Sequence, residues 1–130
     1  MHASTTIVTG NVATDPKCAT TPEGIPYVTF RLAASERKFD REANRWIDGD
    51  VTWYSVVTWR ALAENCAQSL KKGDPIFAVG RIHLREWQQD GRTGSTLDLT
   101  AEVLGHDLTR GTASFERLRR MDSVETSHAA

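Results

Sequence analysis

The sequence predicts a mainly β protein: a five-stranded Greek-key barrel with one helix between strands 3 and 4 and a long β-hairpin arm. Three observations predict this fold. Apolar and polar residues alternate along several segments, as they do in half-buried strands. One segment in the middle of the chain changes to helical spacing. A charged stretch between two strands contains a dipeptide that is typical of hairpin turns.

Composition indicates one globular domain, because the chain has 130 residues, of which 39% are hydrophobic and 25% charged. No apolar run approaches the ~20 residues that span a bilayer, and no secretory signal is visible, so we expect a cytoplasmic protein without membrane contact. Cys18 and Cys66 lack metal-ligand spacing, and two free thiols are expected. The net charge of −1 argues weakly against nucleic acid, although a basic groove can lie on a neutral protein.

The first predicted strand is the β-branched run over residues 5–12. Turns follow at Asp15-Pro16 and across residues 21–26, where proline and glycine recur. The second strand covers residues 27–34, in which the even positions are apolar and the odd positions are more polar.

The predicted arm covers residues 36–50, which mix basic and acidic side chains with Phe39 and Trp46. We interpret it as a long, exposed and mobile β-hairpin. Asp48-Gly49 is typical of a tight hairpin turn and is therefore the predicted tip. A solvated hairpin without a ligand is the alternative, since the charges are balanced in sign.

The third strand is predicted over residues 51–59, the helix over 61–70, the fourth strand over 75–88 and the fifth over 95–103. A hairpin connection over residues 89–94 joins the last two strands. Three strands, a helix and two strands are the order of the OB-fold, which commonly binds oligonucleotides. Other small α+β folds share this order.

The outer faces of two strands carry the candidate site. Because side chains alternate along a strand, Trp53 and Trp59 point to the same side of the third strand. The fourth strand directs a polar and aromatic set outward: Arg81, His83, Arg85 and Trp87. A bulge near Gly80 would change this parity. Exposed aromatic rings among cations are typical of sites for single-stranded nucleic acid, where a stacked base contributes ~1–3 kcal/mol. Any one tryptophan alone is better explained as a packing residue.

The sequence contains no pattern that predicts catalysis, a metal site or a cofactor. The histidines form no H-x-x-x-H or H-E-x-x-H ligand set. A Walker loop, a G-x-S-x-G elbow and a G-x-G-x-x-G loop are missing from the sequence. We therefore expect a protein that is not an enzyme and that needs no cofactor.

Several motifs resemble those of the bacterial single-stranded DNA-binding proteins, over residues 5–108. They are Ile7-Val8-Thr9-Gly10-Asn11-Val12 with Asp15-Pro16, Trp53-Tyr54-Ser55-Val56-Val57-Thr58-Trp59 leading into Leu62-Ala63-Glu64, and Leu70-Lys71-Lys72-Gly73 followed by Val79-Gly80-Arg81-Ile82. The arm is most similar to the actinobacterial branch. The resemblance implies an OB-fold in residues 1–110, a homotetramer, and sequence-independent binding and protection of single-stranded DNA in replication, recombination and repair.

The resemblance also implies which residues bind DNA. The expected stacking residues are Trp53, Trp59 and Trp87, with Phe39 beside the arm position that Lys38 occupies. The expected phosphate contacts are Arg31, Lys38, Arg81, Arg85, Lys71 and Lys72. The alternative is a structural OB-fold subunit of a primosome-like assembly that binds nucleic acid weakly. The three tryptophans on a shared face favour the DNA-binding protein.

Residues 111–130 form the expected C-terminal tail, short and partly disordered. The main replicative members of the family end in an acidic tip, whereas this sequence ends in Ala129-Ala130. The resemblance therefore implies an accessory paralogue in the cytoplasm, associated with the nucleoid. We expect no tip-dependent recruitment of replication or repair enzymes.

Overall fold

The computed structural model describes residues 5–118, except the side chains of residues 36–38 and 48. Six strands and one helix follow one another in this part of the chain. They are β1 (Thr5–Val12), β2 (Lys17–Thr20), β3 (Pro26–Asp40), β4 (Arg45–Trp59), α1 (Arg60–Ser69), β5 (Pro75–Gln89) and β6 (Arg92–His106). Residues 111–118 contain no helix or strand. The expected disorder and the alanine end of the tail lie outside the described residues.

Five of the strands close into a barrel. β1 pairs antiparallel with β5 over residues 5–11 and with β3 at Asn11 and Val12. The ring continues through the antiparallel pairs β3–β4 and β5–β6, and a parallel pairing of β4 with β6 completes it. The predicted OB-fold is confirmed, with the helix between the third and fourth strands of the barrel.

The side chains on one side of each barrel strand fill the interior of the barrel. Its largest fully buried side chains are Leu32, Ile76, Leu99, Val12, Val56 and Thr58. The buried hydroxyl of Thr58 donates a hydrogen bond to the carbonyl oxygen of Val28 at 3.1 Å, which satisfies a polar group away from water. α1 packs against β3 and β4 and buries Ala63 and Cys66.

β2 is a strand that the sequence did not predict. Its residues pair with residues 26–29 of β3, and all of them are exposed. Because neither side of β2 is buried, its sequence has no alternation of apolar and polar residues to distinguish it from the neighbouring turns.

The predicted tip of the arm is wrong. Asp48-Gly49 lies inside β4, where the register with β3 shifts between Ser35 and Arg37. Two residues of β4, Gly49 and Asp50, are opposite one residue of β3 at this shift, which is the pattern of a β-bulge. A glycine after aspartate is compatible with a bulge as well as with a turn, so the dipeptide alone did not locate the end of the hairpin.

The arm turns at residues 41–44 instead, and Asp40 pairs with Arg45. The Asp40 carboxylate accepts hydrogen bonds from the backbone N–H groups of residues 42 and 43, at 3.0 and 3.3 Å. Asn44 has a φ of 54°, which asparagine tolerates better than most residues. The side chain of Asp40 therefore stabilises the turn locally.

The β5–β6 hairpin is tighter than predicted. Its strands continue to Gln89 and from Arg92, so the turn contains only Asp90 and Gly91. Both turn residues have positive φ, 54° and 75°, as a type I′ turn requires. The additional pairs place Trp87 opposite Gly94.

A bulge does occur at Gly80, but it leaves the parity of β5 unchanged. Val79 pairs with Val103 and Gly80 with Ala101, so the additional residue is Glu102 on β6. Gly80 approaches β6 so closely that a Cβ atom would overlap the carbonyl oxygen of Thr100.

Replacing Gly80 by alanine is expected to lower the free energy of unfolding by ~1–3 kcal/mol, because the new methyl group meets backbone atoms that cannot rotate away. Chemical denaturation at a fixed protein concentration measures the change. Gly111→Ala is the control, since nothing lies within 4 Å of a Cβ at that position. Equal stability of the two variants would contradict the close approach of β5 and β6.

The two thiols are expected to differ in reactivity. Cys18 is exposed, whereas burial raises the pKa of Cys66 to about 11, against a smaller opposing effect of its hydrogen bond with Thr58. Cys66 is therefore protonated and shielded at about pH 8. A chromogenic thiol reagent should titrate one equivalent rapidly in the native protein and the second only after denaturant is added. Rapid reaction of both thiols in the native protein would show that Cys66 is not buried between α1 and the barrel.

Candidate nucleic-acid interface

The candidate site lies on the outer side of β3, β4, β6 and β5, which we call the aromatic face. Strand register aligns its residues in rows across the four strands. Ser55 of β4 is opposite Arg31 on one side and Asp98 on the other. Asp98 is in turn opposite His83 of β5. The next residues along, Val56 and Leu99, are buried, so this row points outward.

The three predicted tryptophans lie on the aromatic face and do not belong to the core. The exposed fractions of Trp53, Trp59 and Trp87 are 49%, 39% and 41%. Their exposure agrees with the predicted strand parity, since Val56 and Thr58 occupy the opposite, buried side of β4. Three large rings are therefore accessible to a ligand from outside the barrel.

Trp53 lies in an open cleft with a cation beside its ring. The guanidinium carbon of Arg31 is 5.5 Å from the centroid of the Trp53 ring, within the range of a cation–π interaction. The backbone of Arg31 is held by the segment that follows β1, because its N–H donates to the hydroxyl of Thr14 at 3.0 Å. Ala13, Thr14, Arg31 and Trp53 line the cleft, whose volume is about 450 Å³. This arrangement offers a π surface and a positive charge at one position.

Trp59 is paired with an aromatic residue that the sequence analysis did not select. Tyr27 of β3 is opposite Trp59 of β4, and their ring centroids are 5.0 Å apart at an angle of 36°. The pair extends the aromatic surface along β3 and β4. Only the register of the two strands identifies Tyr27, since its place in the local sequence is that of an ordinary strand residue.

Trp87 packs across the β5–β6 hairpin on Gly94. A Cβ atom on Gly94 would overlap the indole ring, so the absence of a side chain there makes room for it. An aromatic residue that covers a cross-strand glycine is a common device in antiparallel sheets. A cleft of about 610 Å³ lies beside this pair, lined by Glu86, Trp87, Gln88, Thr93, Gly94 and Ser95.

Two of the predicted phosphate-binding arginines already pair with carboxylates. Arg85 donates to Asp98 through Nε at 2.8 Å and through Nη2 at 3.4 Å. This hydrogen bonding, together with the charge of Asp98, raises the pKa of Arg85. The Nε of Arg81 is 3.5 Å from Oε2 of Glu102. The alternation of Leu97-Asp98-Leu99 could have identified Asp98 as an outward residue, but the bulge at Glu102 has no local sequence signal.

Two of the three predicted lysine contacts lie outside the strands of the aromatic face. Lys71 and Lys72 lie in the turn after α1, where their backbone N–H groups donate to the carboxylates of Asp74 and Asp15, both at 3.0 Å. The structure therefore does not group them with the tryptophans on the strands. The side chain of Lys38 lies outside the described part of the chain, and so does its predicted phosphate contact.

The arm carries a separate aromatic pair. Phe39 is opposite Trp46 across the β3–β4 hairpin, and their rings meet edge to face with centroids 5.4 Å apart. The exposed fractions are 45% for Phe39 and 58% for Trp46. Trp46 is not among the stacking residues that the sequence predicts, because a turn at Asp48-Gly49 would not make it the cross-strand partner of Phe39.

The described residues hold neither a metal cluster nor a membrane-spanning helix. Among the side chains that the structure describes, no three His, Cys, Asp or Glu residues are grouped in a way that could hold a metal ion. A helix with the length and apolar character to cross a bilayer is missing from the part of the chain that the structure describes.

Comparison with known proteins agrees with this geometry. The model of the Single-strand binding protein family matches residues 3–107. Single-stranded DNA-binding protein 2 of Tropheryma whipplei (strain Twist) is 44% identical over 110 residues, which are 85% of this chain and 72% of that protein. Single-stranded DNA-binding protein 1 of Streptomyces coelicolor is 40% identical over 123 residues, which are 95% of this chain and 78% of that protein.

A solved structure is similar over most of the chain. The crystal structure of a small single-stranded DNA-binding protein from Streptomyces coelicolor aligns with a TM-score of 0.78 and 39% identity, and it covers 85% of this chain and 100% of the other. The resemblance inferred from the sequence motifs is thereby confirmed, including its actinobacterial character. This chain belongs to the single-strand binding protein family.

Proposed function

We propose that this chain binds and protects single-stranded DNA without sequence preference, in replication, recombination and repair. The observation that carries the proposal is the set of three partly exposed tryptophans on one outer face of the barrel, with arginines between them. Every unpaired base has a π face, so stacking on indole rings tolerates any sequence. Family membership and the names of the relatives support the same ligand.

Each part of the aromatic face has a distinct task in this proposal. Trp53, Trp59 and Trp87 stack with bases, and Arg31 places a positive charge beside the Trp53 ring. Arg81 and Arg85 lie on β5 on the same side as Trp87 and offer positive charge to a DNA backbone that runs along the face. Phe39 and Trp46 provide a further stacking surface on the arm. None of these tasks requires a catalytic group or a cofactor, and the ligand implies a location at the nucleoid in the cytoplasm.

The alternative is a structural OB-fold subunit of a primosome-like assembly with weak nucleic-acid binding. One observation favours it, namely that Arg81 and Arg85 are already neutralised by Glu102 and Asp98. Exposed tryptophans favour the DNA-binding protein, because a purely structural subunit has no need for three accessible indole rings on one face. The effect of removing these rings on DNA affinity distinguishes the two functions.

We also propose that the protein is a homotetramer. An apolar row crosses the outer side of β1, β5 and β6, where Ile7 is opposite Val79 and Val79 is opposite Val103. Ile7 and Val103 are 69% and 54% exposed, which is unusual for large aliphatic side chains. A second copy that covers this row would remove apolar area from water at ~25 cal/mol per Å². Closed symmetric assemblies are the usual result of such self-complementary surfaces.

Alanine in place of Trp53 or Trp87 is expected to weaken binding of oligo(dT) by ~1–3 kcal/mol each, because a stacking partner is lost. Fluorescence anisotropy of a labelled oligonucleotide measures the affinity, and circular dichroism shows whether the fold is retained. Trp53→Phe is the matched control, since it keeps an aromatic face and should retain most of the affinity. Folded alanine variants with unchanged affinity would contradict the proposal and favour the structural subunit.

Glutamate in place of Ile7 or Val103 is expected to dissociate the assembly, because a buried unpaired charge is costly at an interface. Light scattering at micromolar concentration should give the mass of a smaller species. Ala67→Glu introduces the same charge on the exposed surface of α1 and should leave the assembly intact. A wild-type protein with the mass of one chain would refute the tetramer directly.

A further inference from the structure

Two carboxylates lie among the cations of the aromatic face. Asp98 occupies the middle of a row, between Ser55 on β4 and His83 on β5. Glu102 is the additional residue of the β6 bulge and lies beside Arg81. Both acidic residues are on the side of the sheet that carries the tryptophans. A DNA backbone that follows these strands would therefore pass close to negative charge.

The two ion pairs differ in geometry. Asp98 holds Arg85 through two N–H···O contacts, at 2.8 and 3.4 Å, and its side chain is 25% exposed. Glu102 approaches Arg81 through one contact at 3.5 Å, and both side chains are about half exposed, at 52% and 49%. The Asp98 pair is thus the shorter, better oriented and less solvated of the two.

We infer that Asp98, and more weakly Glu102, limits the affinity of the aromatic face for single-stranded DNA by competing with phosphate groups for Arg85 and Arg81. This inference rests on the proposed function, and it assigns to two acidic residues a role opposite to that of the arginines that they contact. The affinity for DNA is then set mainly by stacking, while the electrostatic contribution is kept small.

The physical reason lies in how charged proteins bind DNA. A cation that neutralises a phosphate releases condensed counterions, so the logarithm of the binding constant falls with the logarithm of the salt concentration. An arginine already paired with a carboxylate adds no net charge, so it releases fewer counterions. Exposed ion pairs contribute only ~0–1 kcal/mol to stability, so these two are not needed to hold the barrel together.

The outward position of Asp98 favours competition with phosphate groups over a role in orienting Arg85. A carboxylate that only oriented Arg85 would be expected beneath the face, away from the phosphates that the arginine binds. Asp98 instead points outward in the same row as Ser55 and His83, on the ligand side of the sheet. A phosphate that reaches Arg85 therefore meets the charge of Asp98 at close range and is repelled by it.

The test compares Asp98→Asn with the wild-type protein, using labelled oligo(dT) over a series of salt concentrations. Asparagine keeps the size of the side chain and removes its charge. We expect the affinity at low salt to rise ~3–10-fold and the slope of log K against log salt to steepen by ~0.7, the value for one additional phosphate on a single strand. The control is Glu64→Gln on the exposed surface of α1, which changes the net charge equally and should alter neither quantity.

Glu102→Gln is the second variant and should shift both quantities in the same direction by a smaller amount, because its ion pair is longer and more solvated. It also carries the test if circular dichroism shows that Asp98→Asn is unfolded. Weaker binding by a folded Asp98→Asn variant, or behaviour equal to that of Glu64→Gln, would overturn the inference while leaving the proposed function intact. A wild-type protein that does not bind oligo(dT) at all would refute the proposed function as well.

Discussion

The parallel pairing of β4 with β6 is the interaction on which the rest of the structure depends. It joins residues 54–57 to residues 97–100 and is the one parallel contact in the described barrel. On its inner side Val56 meets Leu99, and both are completely or almost completely buried. On its outer side the same register places Ser55 beside Asp98. Closure of the core and assembly of the aromatic face are therefore consequences of one contact, which places the tryptophans of β4 on the same outer face as the arginines and the tryptophan of β5, with β6 between the two strands.

Features that depend on burial could be predicted from the sequence. The alternation of side chains predicts that Trp53 and Trp59 share one side of their strand, and in the structure Val56 and Thr58 fill the core on the opposite side. Features that depend on local hydrogen bonds, or on which residues of two strands are paired, could not be predicted from the sequence. The arm turns where the side chain of Asp40 caps two backbone N–H groups, not at the more typical Asp48-Gly49. β2 has no buried side, so its sequence lacks the alternation of apolar and polar residues that predicts a strand.

In the candidate site, too, some features could be predicted from the sequence and others could not. Strand parity and the family resemblance together identify the three tryptophans, whereas the contacts of Tyr27 with Trp59 and of Asp98 with Arg85 become visible only with the cross-strand register. The expected electrostatic contribution to DNA binding changes once these partners are known, since two of the predicted phosphate contacts already have carboxylate partners. The net charge of −1 is thus compatible with a DNA-binding surface that relies on stacking more than on bulk positive charge.

The central claim is that indole rings on the aromatic face stack with DNA bases. Intrinsic tryptophan fluorescence tests it most directly, in a titration at low salt with oligo(dT) and with an abasic oligonucleotide of the same length. Both ligands have the same phosphates, but only oligo(dT) has bases to stack. The account predicts strong quenching by oligo(dT) and little by the abasic strand. Equal quenching by the two ligands, or none by oligo(dT), would contradict it.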